Sequence, residues 1–405
     1  MTTDGRPRPD IEADVCVVGS GATALFAALL CARSDQSVVL VSPQAEFEPA
    51  GSGISPLLAP PTLGLLADEG IEDALVQDGQ PVLGVDDHGS AGLLSSWRYA
   101  DHPGIARTHG LTVPTGTLVQ AALAGLRGEP RATIRTGEGV VAVEQDDSGV
   151  LLTLARTDGS DPATPVRVRA AYAVAADGRN SALRDLVGIP LDVSAFDRPA
   201  WLVVTPAVPG REPVLLVRHK APSALFTIPI PTRSLAVVWS PDRDQEEALD
   251  QGGPAALAEQ LRQIDPELSG WLDEAKDRVS PLIRLNFSLW RAASWRAGRV
   301  LLLGETAHGL HTLGGQGLNQ SLQSGASLAR AIHDSLRSGD PSRIDDYERI
   351  RRPHVEQLQD FQWNLQALRS YSATPPERGA HEDFIDVMTA LQPELAAQLA
   401  LANSR

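Results

Sequence analysis

Glycines at fixed spacing mark the first chemistry in the chain. Gly19-x-Gly21-x-x-Ala24 follows the apolar run Asp14–Val18 and precedes Leu25–Ala32, which is helical in composition. In such a pattern the first glycine permits a tight turn, and the second lets a pyrophosphate approach the backbone. The third position needs a small side chain where helix packs on strand, and Ala24 serves. The helix start adds N–H groups and a positive dipole end, so the expected chemistry is dinucleotide binding. An acid for the adenosine ribose is missing at the end of the second apolar run, where Ser42-Pro43 stands. Glu46 and Glu48 follow and read as surface acids, with either one reaching the ribose as the alternative.

Two later segments add polar groups to this frame. One is Ala175-Ala-Asp177-Gly178-Arg-Asn-Ser-Ala-Leu-Arg184. The other runs from Gly298 through Gly304-Glu305, His308 and His311 to Gly315-Gln316-Gly317-Leu-Asn319. His308 and His311 stand at a spacing that metal ligands can use, but no third His, Cys or carboxylate cluster accompanies them, and no metal site is expected. His311 is a candidate to face substrate and His219 a candidate base; neither carries an assigned catalytic role. Asp86-Asp87-His88 reads as a polar turn, with a place lining a substrate cavity as the alternative. There is no CxxC pair, and Cys16 and Cys31 sit inside apolar segments as core residues.

The elements that must position these residues follow from pattern. Asp14–Val18 and Ser37–Val41 read as buried strands joined through the glycine turn and a helix, a βαβ unit of a parallel sheet. Helices are expected within Pro56–Gly70, Thr117–Leu126, Gly253–Ile264 and Leu318–Leu336. Ala132–Val174 is strand-rich. Trp201–Trp239 holds four closely spaced β runs that predict antiparallel strands in a separate sheet. Val300–Leu303 is another short buried strand. Tyr347–Leu401 reads as helices broken near Thr374-Pro375-Pro376, and Met1–Pro9 as a loose tail.

Length and charge bound the function. At 405 residues the chain predicts two domains or one elaborated domain. Its net charge of −16 repels phosphate backbones, which excludes nucleic acid from the expected partners. No apolar stretch reaches the ~18 residues of a membrane span, and the first residues lack a signal-peptide core. A cytoplasmic location without integral membrane association is expected.

Taken together in this order and separation, the three motifs resemble the class A FAD-dependent monooxygenases, whose prototype is para-hydroxybenzoate hydroxylase. His308-x-x-His311 followed by Gly315-Gln-Gly-Leu-Asn319 is similar to the ubiquinone-biosynthesis hydroxylase branch. The resemblance spans most of residues 11 to 355. It implies an α/β fold, with a Rossmann-type FAD-binding domain, a β-sheet substrate domain and a helical C-terminal segment. The FAD-binding domain would comprise 10–80, 105–190 and 280–355. The substrate domain would comprise 81–104 and 191–279, and the C-terminal segment 356–405.

The resemblance also implies roles. Gly19, Gly21, Ala22 and Ala24 would form the pyrophosphate turn. Asp177, Gly178 and Arg184 would help bind FAD and NAD(P)H. Gly304 and Glu305 would reach the ribitol chain, and Gly315, Gln316, Gly317 and Asn319 would lie beside the isoalloxazine ring. NAD(P)H would be a transient co-substrate, in keeping with the lack of a second strand-linked glycine motif. Several positions depart from the family. Glu305 replaces Asp, Thr312 replaces Pro, Ser324 replaces Asp, and Thr115 or Pro114 stands where many members have an arginine. Ser42 lacks the ribose acid.

The implied activity is hydroxylation or epoxidation of an apolar, aromatic or polyketide-like small molecule with NAD(P)H and O₂, through a C4a-hydroperoxyflavin. The protein's part would be orientation and exclusion of water. Two alternatives predict different observations. A non-redox cyclase or isomerase on the same fold would hold flavin that is never reduced. A non-catalytic ligand-binding protein would hold none. Substrate identity, NADH against NADPH, and oligomeric state are not encoded in any motif.

Overall fold

The computed structural model describes residues 9–364, apart from 90–91, 102–106, 161–164, 221–222 and 313. The expected helices past residue 364, with their break at Thr374-Pro375-Pro376, and the tail up to residue 8 lie outside the described residues. So does the side chain of His219.

Along the chain, β1 (Ile11–Val18), α1 (Ala22–Arg33) and β2 (Val38–Ser42) form the expected βαβ unit. Helix α2 (Pro60–Asp68) leads to a hairpin of β3 (Gly84–Gly89) and β4 (Gly92–Arg98). After α3 (Thr115–Arg127) come β5 (Ala132–Thr136), β6 (Glu138–Asp146), β7 (Gly149–Arg156) and β8 (Val166–Ala175). The next block is β9 (Ala200–Pro206), β10 (Leu215–Lys220), β11 (Ser223–Ile230) and β12 (Ser234–Ser240). Helices α4 (Arg243–Leu261) and α5 (Pro266–Glu274) follow. Then come β13 (Ile283–Leu285), β14 (Ser288–Ala292), β15 (Val300–Leu302), α6 (Gln316–Ser338) and α7 (Asp345–Asn364).

Five of these strands lie parallel in the order β15-β8-β1-β2-β5, with β7 pairing antiparallel to β8 and β6 antiparallel to β7. Val15 to Val18 and Val38 to Val41 are all buried, with no alternation, because helices and loops cover both faces of a parallel sheet. Helix α1 lies against α3 and α6. Its cysteine Cys31, and Cys16 in β1, are free thiols that burial pushes up to about 12, so they pack as inert core.

A second sheet runs β13-β9-β12-β11-β10-β3-β4. Its pairs are antiparallel except β10 with β3. Its central strands β9, β11 and β12 alternate over most of their length. Trp201, Val203, Leu225, Leu235, Val237 and Trp239 face α4 and α5 in one apolar core. Trp239 is fully buried and its indole N–H donates to Gln260 Oε1 at 2.8 Å. Truncating such a side chain to alanine costs about 3–5 kcal/mol. The intervening residues Leu202, Val204, Phe226, Ile228, Ala236 and Val238 are only half-buried, because they line a cavity instead.

Three expectations change. Asp86-Asp87-His88 is not a turn but part of β3, and its hairpin partner supplies the neutralising charge: Arg98 Nη1 reaches Asp86 at 2.7 Å. The helix expected from Gly253 starts at Arg243, where Asp242 and Gln245 form a capping box. Gly253, at φ 56°, and Pro254 put a kink within it. β13, read from sequence among the FAD-binding segments, pairs instead with β9 in the second sheet. A three-residue edge strand carries too little periodicity to be seen in advance.

Candidate active site

A cavity of about 1120 Å³ is lined by both sheets. One end is polar and glycine-rich; the other is the open face of the second sheet.

At the polar end, the two glycines of the first turn do different work. Gly19 has φ +150°, and a Cβ there would meet Ala176 O at 2.3 Å. It is a packing glycine between β1 and β8. Gly21 has an ordinary φ of −84°, and a Cβ there would meet nothing within 4 Å. It borders the cavity, so the space beside it is space for a ligand. Ala22 and Ala24 are buried in α1 and only shape the turn.

The segment 177–179 forms the facing wall. Gly178 turns the chain at φ +84°, and its N–H donates to Thr306 Oγ1 at 3.1 Å. Burial pushes the Asp177 carboxyl above its usual range, opposed by the Ser181 hydroxyl and backbone N–H groups. Its Oδ1 is buried without a partner. Arg184 is not on the cavity. It is 5% exposed and donates from Nη1 to Arg179 O at 2.7 Å and Thr306 O at 3.4 Å. It fixes the wall from behind, and Arg179 takes the place at the lining.

Glu305 opens into the cavity from a short 3₁₀ turn, Gly304–Thr306. Enclosure raises its carboxyl above the usual range, while Arg179 draws it down. Trp290 braces this turn: its indole N–H donates to Glu305 O at 2.8 Å, and Gly309 lies against its ring with no room for a Cβ. Gly304 is buried behind, at φ +63°.

Gly314 to Gly317 line the same end. Gly315 is left-handed at φ +64° and caps α6, whose first N–H groups have no partner within the helix. Gln316 Nε2 donates to Gly314 O at 2.9 Å, leaving its buried Oε1 without a donor. Asn319 is not on the cavity. It is fully buried, accepts from Ala59 N and donates to Leu57 O and Gly315 O, and so locks the loop to the chain before α2.

The histidines separate. His308 packs on Trp295 away from the cavity, whereas His311 lines it between Phe196 and Phe287. Burial drops both to about 3, with Arg351 adding to the effect at His308, so both rings are neutral. The His311 peptide is gripped at both ends by Gln362. His219 lies in β10 opposite Ala224. Among the described residues no group of three His, Cys, Asp or Glu can hold a metal ion. Ser42 Oγ closes a turn with Gln44, while Thr115 and Thr312 border the cavity.

The far end is apolar. Ala236 lies between Val204 and Ile228, and Val238 lies between Leu202 and Phe226. A group resting on Ala236 meets backbone and a methyl, flanked by branched side chains, which makes a shallow notch in an apolar floor. Sequence reading missed Arg179, Trp290, Gln362 and this floor. Alternation within β9, β11 and β12 was the available signal for the floor.

A profile of the FAD binding domain family matches residues 12–362. The chain is 70% identical, over 100% of both chains, to protoasukamycin 4-monooxygenase of Streptomyces nodosus subsp. asukaensis. It is 30% identical to the ubiquinone hydroxylase UbiL of Rhodospirillum rubrum, over 85% of this chain and 79% of that one. Among solved structures it is similar to p-nitrophenol 4-monooxygenase PnpA from Pseudomonas putida DLL-E4. The TM-score there is 0.74 at 20% identity, covering 97% of this chain and 98% of that one.

Proposed function

The chain belongs to the FAD binding domain family and is a class A FAD-dependent monooxygenase, and from that premise we propose that it hydroxylates protoasukamycin or a close analogue. The observation that carries the substrate reading is the single cavity with two characters: a polar glycine-lined end continuous with an apolar sheet floor. A small apolar molecule on that floor lies against the ring end of a flavin. Bound FAD supplies the redox chemistry, taking reducing equivalents from NAD(P)H and activating O₂ for transfer of one oxygen atom. The chain's part is to hold, orient and keep dry.

The residues fit that cofactor. Space beside Gly21 and the N-terminus of α1 suit the pyrophosphate. The Glu305 carboxyl, without a hydrogen bond among the described residues, suits ribityl hydroxyls. The orphan Gln316 Oε1 and Asp177 Oδ1 are acceptors awaiting donors. Gly315 to Gly317, at the start of α6, suit the ring end. Gly19, Ala22, Ala24, Gly178, Arg184, Gly304 and Asn319 support these from behind or beside. His311, neutral and wedged between rings, serves as wall rather than base.

The sheets support the division into FAD-binding segments near 10–80, 105–190 and 280–355 and a substrate part near 81–104 and 191–279, with β13 moved to the latter. A cytoplasmic location accords with the finding that no helix among the described residues is long and apolar enough to cross a membrane.

Two measurements check this reading. Protein supplied with FAD, NADPH or NADH, and protoasukamycin should bleach its flavin band without air and recover it with air. The product should carry one atom of ¹⁸O from labelled O₂. Turnover without O₂ and with the flavin oxidised throughout would overturn the monooxygenation and favour the cyclase or isomerase alternative. Second, Glu305→Ala should weaken FAD about ten- to a hundred-fold, from loss of a charge-assisted hydrogen bond worth about 1.5–3 kcal/mol. An unchanged titration would mean that the carboxyl does not meet the ribityl chain.

A further inference from the structure

We propose that Arg179 is the docking point for the pyrophosphate of the visiting nicotinamide coenzyme, held ready over the Trp290 indole at the edge of the flavin cavity. This rests on NAD(P)H being the reductant.

The coenzyme is an anion and the chain is strongly acidic. Between Arg33 and Arg98 there is no Lys or Arg at all, against ten Asp and Glu. That stretch supplies one wall of the cavity, including Gln44 and Ile54. A field of this sign opposes an approaching pyrophosphate, so a local cation must offset it. The resident flavin has the α1 N-terminus for its own pyrophosphate. The sequence holds no second strand-linked glycine turn, so the coenzyme must rely on side chains.

The lining offers two basic residues among those described, Arg179 and Arg198. Arg198 is 2% exposed, and its Nη2 donates to the carbonyls of Ser240 and Pro241. Arg179 is exposed. Its guanidinium sits 4.6 Å from the Trp290 ring centroid and makes no ion pair or hydrogen bond among the described residues. Stacking on an indole face leaves the edge N–H groups of a guanidinium free for a phosphate.

The platform is rigid. Trp290 is pinned by its bond to Glu305 O and by Gly309 against its ring. The Arg179 carbonyl is clamped by Arg184, and Gly178 by Thr306. An exposed cation on so fixed a base loses little freedom when an anion binds.

The test uses the FAD-loaded full chain and the non-reducing probes NADP⁺ and NAD⁺, titrated at low and high salt. Arg179→Gln should weaken the better-bound probe about ten- to a hundred-fold and flatten its salt dependence. Arg179→Lys should recover most of the affinity. FAD affinity and the thermal unfolding midpoint should stay as in the parent chain, and dithionite should still reduce the flavin. Unchanged probe affinity in Arg179→Gln overturns the proposal, as does a loss that falls on FAD instead. If the parent chain binds neither probe and neither NADPH nor NADH reduces its flavin, the choice of reductant itself fails, a result distinct from the first two.

Discussion

The Gly21→Val protein is expected to purify folded but colourless. Gly21 has a backbone conformation open to any residue, and a Cβ there meets no protein atom within 4 Å. The fold resists it only through the poorer N-cap that valine gives α1, about 1 kcal/mol. The valine methyls stand instead in the cavity, where the pyrophosphate would meet the start of α1. Two or more charge-assisted hydrogen bonds are lost together, so FAD affinity should fall by more than about a hundredfold. Gly19→Ala is the matching control. Its Cβ would press on Ala176 O, and φ +150° disfavours any side chain. That variant should lose about 2–4 kcal/mol of stability. Flavin content with and without excess FAD, together with unfolding midpoints, separates the two. Full flavin in Gly21→Val would show that the cofactor lies elsewhere.

Filling the notch in the apolar floor should act on substrate alone. Ala236→Phe places a ring between Val204 and Ile228, above the sheet and within the cavity. The opposite face, where Val237 packs on α4 and α5, is untouched. We expect kcat/KM for protoasukamycin to fall about a hundredfold, about 2.7 kcal/mol of transition-state binding. FAD content and flavin reduction in the absence of substrate should be unchanged. Ala236→Gly should stay within a few-fold of the parent. Equal turnover by Ala236→Phe would place the substrate off this floor.

Much of the cofactor end was legible because backbone demands are written in residue type. Gly19, Gly21 and Gly315 each answer a close approach or a left-handed turn, and such needs leave few alternatives. Three of the five parallel strands, β1, β2 and β15, were legible as short apolar runs, whereas β5 and β8 carry arginines and were read only as part of a strand-rich block. Arg184 and Arg179 were not separable by spacing. Both follow Asp177-Gly178, and only the Ser181-capped turn of helix sends one inward and the other to the lining. Asn319 was read as a ring neighbour, yet its amide is spent on Leu57, Ala59 and Gly315. Asp86 misled because its charge reads as a loop until Arg98 is seen across the hairpin. The polar contacts of Gln362 with His311 join parts of the chain that no local window compares.

The order of strands in the parallel sheet governs when this protein can first hold its cofactor. β1 carries the glycine turn, yet Ile11 pairs with Val168, and β8 in turn pairs with β15 beyond residue 299. The second sheet repeats the pattern, with Val85 beside Leu215. Contacts so distant along the chain form late and slowly, because loop closure precedes their reward. A ribosome-bound chain that has exposed only its first two hundred residues lacks both the Glu305 turn and the start of α6. Flavin loading therefore waits until the Glu305 turn and the start of α6 have both been made and brought beside the glycine turn.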